Sequence, residues 1–396
     1  MLSRNARHIL VLLLGFLTCG FSIADESSEP LEPTDILFWS QAEKEKGFRN
    51  IDKILPTRKI IAGKNVLALP LALQDLSSVK YSIEGQKFSL EEHMQSQHVG
   101  GLLVLRKGQI VYENYELDNN EDSRWIAFSV AKSVTSMLIG AAIQDGYINS
   151  VEDAVTDYLP RLKGSAYDGA SIKNVLNMAS GVDWNEDYAD PKSDVSVAAG
   201  SNAMELFQHL NTLNVSSKPG EVFNYSTGDT NLLGAVLRAA IGNNESAYLE
   251  QKIWKPFGMQ SDASWIVDAR YGVELGGCCL NATLRDYARI GLFALKAGVL
   301  ADGTKILPDG WMKASTTPSK GYQGYGYSWW LRPDGSYAAQ GIFGQLIWID
   351  PKTETVIVTH SAWQKATSES QTVHRWGMVN AIAKALEQTA SVNGGK

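Results

Sequence analysis

Hydrophobic and polar positions alternate or recur in blocks that divide the chain into three parts. An apolar run, Gly101–Arg106, meets a second strand-like run, Gln109–Tyr115, across the turn residues Lys107-Gly108. From Phe128 to Gln144 the period changes to helical. Val130, Val134, Met137, Leu138 and Ala141 fall on one side, and Gly146 follows the last turn. The stretch from Val151 to Gly242 reads as short helices and loops, and Arg285–Ala297 as a helix. Strand patterns return late, at Gly326–Leu331, Leu346–Asp350 and Val356–Thr359, before a closing helix over Gln371–Gln388. Strands at both ends and helices between them predict an α+β fold. One antiparallel β-sheet is flanked by helices and carries an inserted helical region at about 145–280.

The N-terminal end has a different pattern. Arg4 and Arg7 precede the apolar run Ile9–Leu17, and Ser22-Ile23-Ala24 supplies small residues before Asp25. A basic start, a short apolar segment and an A-x-A-like end describe a secretory signal peptide over residues 1–24, cut after Ala24. This predicts a periplasmic or secreted protein with no integral membrane span after cleavage. Residues 25–75 begin acidic and Pro-rich and then show little pattern. They read as a leader and extension, with the main domain over 76–396.

Composition adds few constraints. The 396 residues are 44% hydrophobic and 20% charged, an ordinary globular balance. The net charge of −7 becomes −9 on loss of residues 1–24, which hold two arginines and no acid. That argues against nucleic acid as a partner. Of the three cysteines, cleavage leaves only Cys278 and Cys279, too few for a metal-binding pattern, so no metal or cofactor is expected. The adjacent pair either closes a vicinal disulfide or stays as two small thiols. Five histidines remain, His93, His98, His209, His360 and His374, none in a recognisable catalytic setting.

One short motif carries chemistry. Ser129-Val130-Ala131-Lys132 places a serine and a lysine three residues apart at a predicted helix start, on one helical face. A serine hydroxyl is a weak nucleophile until a base takes its proton. A lysine serves as that base when burial lowers its pKa. The helix N-terminus offers backbone N–H groups to a developing oxyanion.

The surrounding text gives the motif a context. Phe128-Ser129-Val130-Ala131-Lys132-Ser133, then Gly140 and Asp145-Gly146, resembles the nucleophile helix of β-lactamase-related serine hydrolases. Val155-x-x-Tyr158-Leu159-Pro160, Ile172–Gly181 and Thr283–Arg289 resemble later segments of that family. Pro219-Gly220-Glu221-x-Phe223-x-Tyr225-Ser226-Thr227-Gly228 resembles its second box. Ala339-Gln340-Gly341-Ile342-Phe343-Gly344-Gln345 resembles the third box of 6-aminohexanoate-dimer hydrolases rather than the Lys-Thr-Gly of β-lactamases. The nearest relatives in motif are class C β-lactamase-like esterases (the family VIII type) and those oligomer hydrolases.

The resemblance implies a serine β-lactamase or penicillin-binding-protein fold and a hydrolase that cleaves an ester or linear amide through an acyl-enzyme. Ser129 would be the nucleophile, and Lys132 and Tyr225 the proton-transfer groups, the phenol shuttling protons as its pKa falls. The backbone N–H groups of Ser129 and Ile342 would form the oxyanion hole, with Gly341 allowing close approach. Tyr188, Asp194 and Trp330 are further candidates for substrate contact, and the aromatic run Gly321–Trp330 reads as a core strand with one or two rings lining a cleft. The third box holds no cation, which predicts neutral ester or amide substrates in preference to carboxylate-bearing ones. Other readings are a β-lactamase, a D-alanyl-D-alanine peptidase, and a non-catalytic penicillin sensor or scaffold. Three polar catalytic residues argue against the last.

Overall fold

The computed structural model describes residues 36–393; the proposed signal segment lies outside them. Among the described residues no helix is long and apolar enough to cross a membrane.

The main sheet has six antiparallel strands. In spatial order they are Gln109–Tyr115, Val99–Arg106, Thr355–Ser361, Gln345–Asp350, Tyr337–Gly341 and Trp330–Leu331. Two adjacent inner strands come from opposite ends of the chain: Leu103 lies opposite Val358, and Leu105 opposite Val356. Both faces of this sheet are covered, so Val99–Arg106 reads as a continuous apolar run rather than an alternation. Leu102 and Val104 pack with Met378, Val379, Ile382 and Leu386 of the closing helix, Glu369–Asn393. Leu103 and Leu105 face the opposite layer, where the Val130–Gln144 and Leu284–Leu295 helices lie. The α+β expectation, with an antiparallel sheet built from both ends, matches this architecture.

Two parts differ from the sequence pattern. Residues 41–60, read as an extension, form helices Gln41–Gly47 and Ile51–Ile54 and the strand Thr57–Ile60. That strand opens a second antiparallel sheet, followed in space by Ala263–Ile266, Leu280–Thr283 and Arg124–Ile126. Its pairing partner lies about two hundred residues away, which no local periodicity signals. Phe48, in the same segment, is fully buried. The second difference is Gly326–Leu331, of which only Trp330–Leu331 pairs in the sheet. A Cβ on Gly326 would stand 2.1 Å from the Ser315 carbonyl oxygen, so the chain there runs against another backbone as a loop.

Between the two groups of strands lie short helices, including Asp194–Gly200, Ala203–Thr212 and Thr227–Ile241. The last packs against Val130–Gln144. These helices and the second sheet together frame the site.

Candidate active site

Ser129 caps the Val130–Gln144 helix directly after the strand Arg124–Ile126. The turn between them forces Phe128 to φ +44°, an uncommon conformation for a bulky residue. On the other side of the cleft, Phe343 follows Ile342 with φ +59°. These two strained aromatics pack on each other with centroids 5.3 Å apart. Phe48 holds both, at 5.1 Å and 5.4 Å. The brace comes from the segment that the sequence left unpatterned. Gly341 is required for a further reason: a Cβ there would sit 2.3 Å from the Ala127 carbonyl oxygen.

Lys132 is buried one turn into the helix, and its Nζ donates to three oxygens. These are Ser129 Oγ at 3.0 Å, Thr227 Oγ1 at 2.9 Å and the Gly277 carbonyl at 2.7 Å. Burial pulls its pKa down to about 8, although the Glu186 carboxylate acts in the opposite direction. Two of the three partners only accept: Gly277 offers a carbonyl, and the Thr227 hydroxyl already donates to Glu186. When Nζ loses its proton, its two remaining N–H bonds satisfy those acceptors. The lone pair is then left to face the Ser129 hydroxyl.

Lys132 Nζ lies 5.3 Å from the centre of the Tyr225 ring, and Ser129 acts on the phenol to lower its pKa. Its titration corrects the sequence expectation. Burial raises the phenol well above its ordinary value, and Glu186 raises it further. Tyr225 therefore keeps its proton at neutral pH, whereas the Lys132 amine has an accessible free-base form.

Glu186 is the residue that motif reading missed. Its carboxylate accepts from the Thr227 N–H at 2.9 Å, the Tyr188 hydroxyl at 2.6 Å, and the Thr227 hydroxyl and Trp184 indole N–H. It sits at the N-terminus of the Thr227–Ile241 helix, where a negative charge is favoured. The only sequence signal was an acid two residues before Tyr188 in a loop crowded with acids.

The remaining candidates divide. Ser129, Tyr188 and Ile342 line one cavity of about 550 Å³. Trp330 instead stacks on Tyr225 with centroids 5.4 Å apart. Phe223 and Tyr325 join it, so these aromatics back the phenol, while the apolar wall of the cavity comes from other segments. Asp194 is bonded to His209 Nε2 at 2.7 Å and to the Asn185 N–H at 2.7 Å, which ties together the loop and helices beside Glu186. Cys278 and Cys279 lie in the cavity wall with their sulfurs joined as a vicinal disulfide.

The third box holds no cation of its own, and the structure sets one behind it. No cation occurs within Ala339–Gln345, yet Arg375 of the closing helix donates to Gln340 Oε1 at 2.6 Å. The guanidinium lies between the Trp363 and Trp376 rings, 5.0 Å and 5.1 Å from their centres. Burial lowers its pKa to about 10, which leaves it charged at neutral pH. A cation thus stands behind the third box, supplied by tertiary packing.

The beta-lactamase family profile matches residues 89–376. The 6-aminohexanoate-dimer hydrolase of Paenarthrobacter ureafaciens is 28% identical over 383 residues, which cover 90% of this chain and 95% of that protein. A Bacillus anthracis protein assigned as a 6-aminohexanoate-dimer hydrolase shares the fold with a TM-score of 0.79 at 24% identity, covering 87% of this chain and 94% of that one. A family VIII carboxylesterase shares it with a TM-score of 0.58 at 15% identity, covering 74% and 95%. With a profile match across most of its length and a 6-aminohexanoate-dimer hydrolase matched over nearly the whole chain, this chain belongs to the beta-lactamase family and is a serine hydrolase.

Proposed function

We propose that the protein hydrolyses a small ester or linear amide through an acyl-enzyme on Ser129. The observation that carries this reading is the buried Lys132 amine, 3.0 Å from Ser129 Oγ and with its pKa lowered to about 8. The neutral amine takes the Ser129 proton as Oγ attacks the substrate carbonyl carbon. The backbone N–H groups of Ser129 and Ile342 receive the carbonyl oxygen as it becomes an oxyanion. Tyr225 gives its proton to the leaving alcohol or amine, and the Lys132 ammonium restores it. Water then attacks the acyl-enzyme with the same groups in reverse. Glu186 acts through Thr227 as a positioning residue: it fixes which way the Lys132 lone pair points. The homology to an amide hydrolase over nearly the full chain supports the reading.

A second reading, a substrate with a carboxylate on its leaving group, draws support from the Arg375 guanidinium bonded to Gln340. A β-lactamase or a D-alanyl-D-alanine peptidase would use such a cation. The two readings share the acyl-enzyme and differ in leaving-group charge.

The signal-like pattern of residues 1–24 further supports export to the periplasm or beyond. The deciding experiment is intact-mass spectrometry after treatment with a serine-directed fluorophosphonate, on the unmodified chain and on Ser129→Ala. A single adduct on Ser129, lost in the variant, is expected. An adduct that persists in the variant overturns the mechanism. N-terminal sequencing of the exported protein is expected to begin at Asp25.

A further inference from the structure

The cavity beside Ser129 carries information on substrate that the motifs do not hold. Its volume is about 550 Å³, within the range of sites that enclose drug-sized ligands. Both proposed oxyanion donors, Ser129 and Ile342, belong to its wall, so it is continuous with the reacting centre. Away from them the wall is mostly apolar, with Phe128, Val195, Ala198, Ile266, Val267 and Leu275, and polar groups such as Ser201, Asn202 and Asn231 interrupt it.

Of the three charged residues in this wall, the two carboxylates are bonded within the protein. The Asp268 carboxylate accepts from the Arg270, Tyr271 and Val273 N–H groups at 2.8 to 3.0 Å. Glu205 accepts from the Asn202 N–H at 3.0 Å as part of a helix cap. The Arg270 guanidinium lies over the Tyr271 ring, 5.4 Å from its centre. Arg375, the cation behind the third box, is not part of this wall. A mostly apolar surface continuous with the nucleophile, with both of its carboxylates bonded to backbone N–H groups, fits a neutral apolar group next to the scissile bond.

We propose that this cavity is an acyl-chain site that selects medium-length aliphatic acyl groups of about six to ten carbons. The inference rests on the acyl-enzyme reading given above. A space of this size takes a drug-sized group, part of which the reacting centre and the open mouth use. The residues that set chain length are those on the Asp194–Gly200 helix, chiefly Val195 and Ala198, both buried where they face the space. Each methylene buried favours binding by about fourfold, the equivalent of ~0.8 kcal/mol.

The test measures kcat/KM of the full chain on nitrophenyl esters of two-, four-, eight- and twelve-carbon acids. The eight-carbon ester is expected to exceed the two-carbon ester by at least about tenfold, with a decline at twelve carbons. In Ala198→Trp, which fills the space, the ratio of eight-carbon to four-carbon rates is expected to fall about tenfold or more. Rates of inactivation of the unmodified chain by butyl and octyl fluorophosphonates give the same readout without a variant, and the octyl reagent is expected to be faster. A two-carbon optimum, or equal inactivation rates, overturns the acyl-chain site while Ser129 labelling leaves the mechanism standing. Absence of both labelling and ester turnover overturns the two together.

Discussion

The two sides of the cleft are built on different physical terms. On one side, Lys132, Thr227, Glu186 and Tyr188 form a chain of polar groups in which each hydrogen bond restricts the next. Substituting one member leaves a buried polar atom without a partner, a cost of about 1–3 kcal/mol before any chemistry is counted. On the other side, the cavity wall of Phe128, Val195, Ala198 and Ile266 makes non-directional contacts that tolerate changes of shape. The difference separates two tasks. In the proposed mechanism the polar side sets which protonation states exist at Ser129, and the apolar side sets which acyl groups reach it. Specificity can therefore vary in this fold without altering the chemistry.

The largest expected effect lies on the polar side. Ser129→Ala is expected to lower kcat by about 10³-fold or more with the circular-dichroism spectrum unchanged, because removing the nucleophile disables the catalytic group as a unit. Turnover near the unmodified level would break the comparison at its origin.

Phe48→Ala tests whether the polar side depends on its brace. Truncating a buried phenylalanine costs about 3–5 kcal/mol, to be read from urea unfolding. The strained Phe128 and Phe343 turns lose their shared support, so kcat is expected to fall as well. Unaltered stability would show that residues 41–60 are an accessory rather than part of the domain.

The leaving-group question comes next in size. A charge-assisted hydrogen bond to a carboxylate is worth roughly 1.5–3 kcal/mol, or on the order of 10- to 150-fold. With no lysine in the third box, kcat/KM for a neutral nitrophenyl ester is expected to exceed that for a chromogenic cephalosporin by such a factor. If the cephalosporin is better by tenfold and Arg375→Gln removes that advantage, Arg375 serves as the carboxylate partner and the second reading replaces the first.

The pH profile is a finer probe. The base works as a neutral amine, so kcat/KM is expected to rise with pH through a limb near 8 as Lys132 loses its proton. Glu186 raises the Lys132 pKa, so Glu186→Gln is expected to move that limb to lower pH. A merely structural role for Glu186 would reduce the rate and leave the limb in place. The smallest effect is expected for His98→Gln, whose Nδ1 pairs with Glu45, with activity within about threefold of the unmodified chain. A larger loss with the fold intact would point to a histidine base.

Several features were legible from the chain alone. The Val130–Gln144 helix was visible because one apolar period runs its whole length, and the inner strands because both of their faces are buried. Ser129, Lys132 and Tyr225 stood out because the resemblance places them in matched boxes, and the structure brings the three together. The direction of proton flow was not legible. It depends on how deeply Lys132 and Tyr225 are buried and on Glu186, a residue that no motif marks. The sequence also offered no sign of Phe48 beneath the Phe128 and Phe343 turns or of Arg375 behind Gln340. Local pattern is a property of neighbours along the chain, with periods of 2 or 3.6 residues. A contact such as Arg375 with Gln340 joins two elements whose own patterns are each satisfied without it. Local pattern and the motif match thus determined the elements and the candidate nucleophile, whereas tertiary packing decided burial, and with it the direction of each pKa shift, the brace and the cavity. Burial is the sum of everything that surrounds a side chain, and most of those surroundings come from distant parts of the sequence.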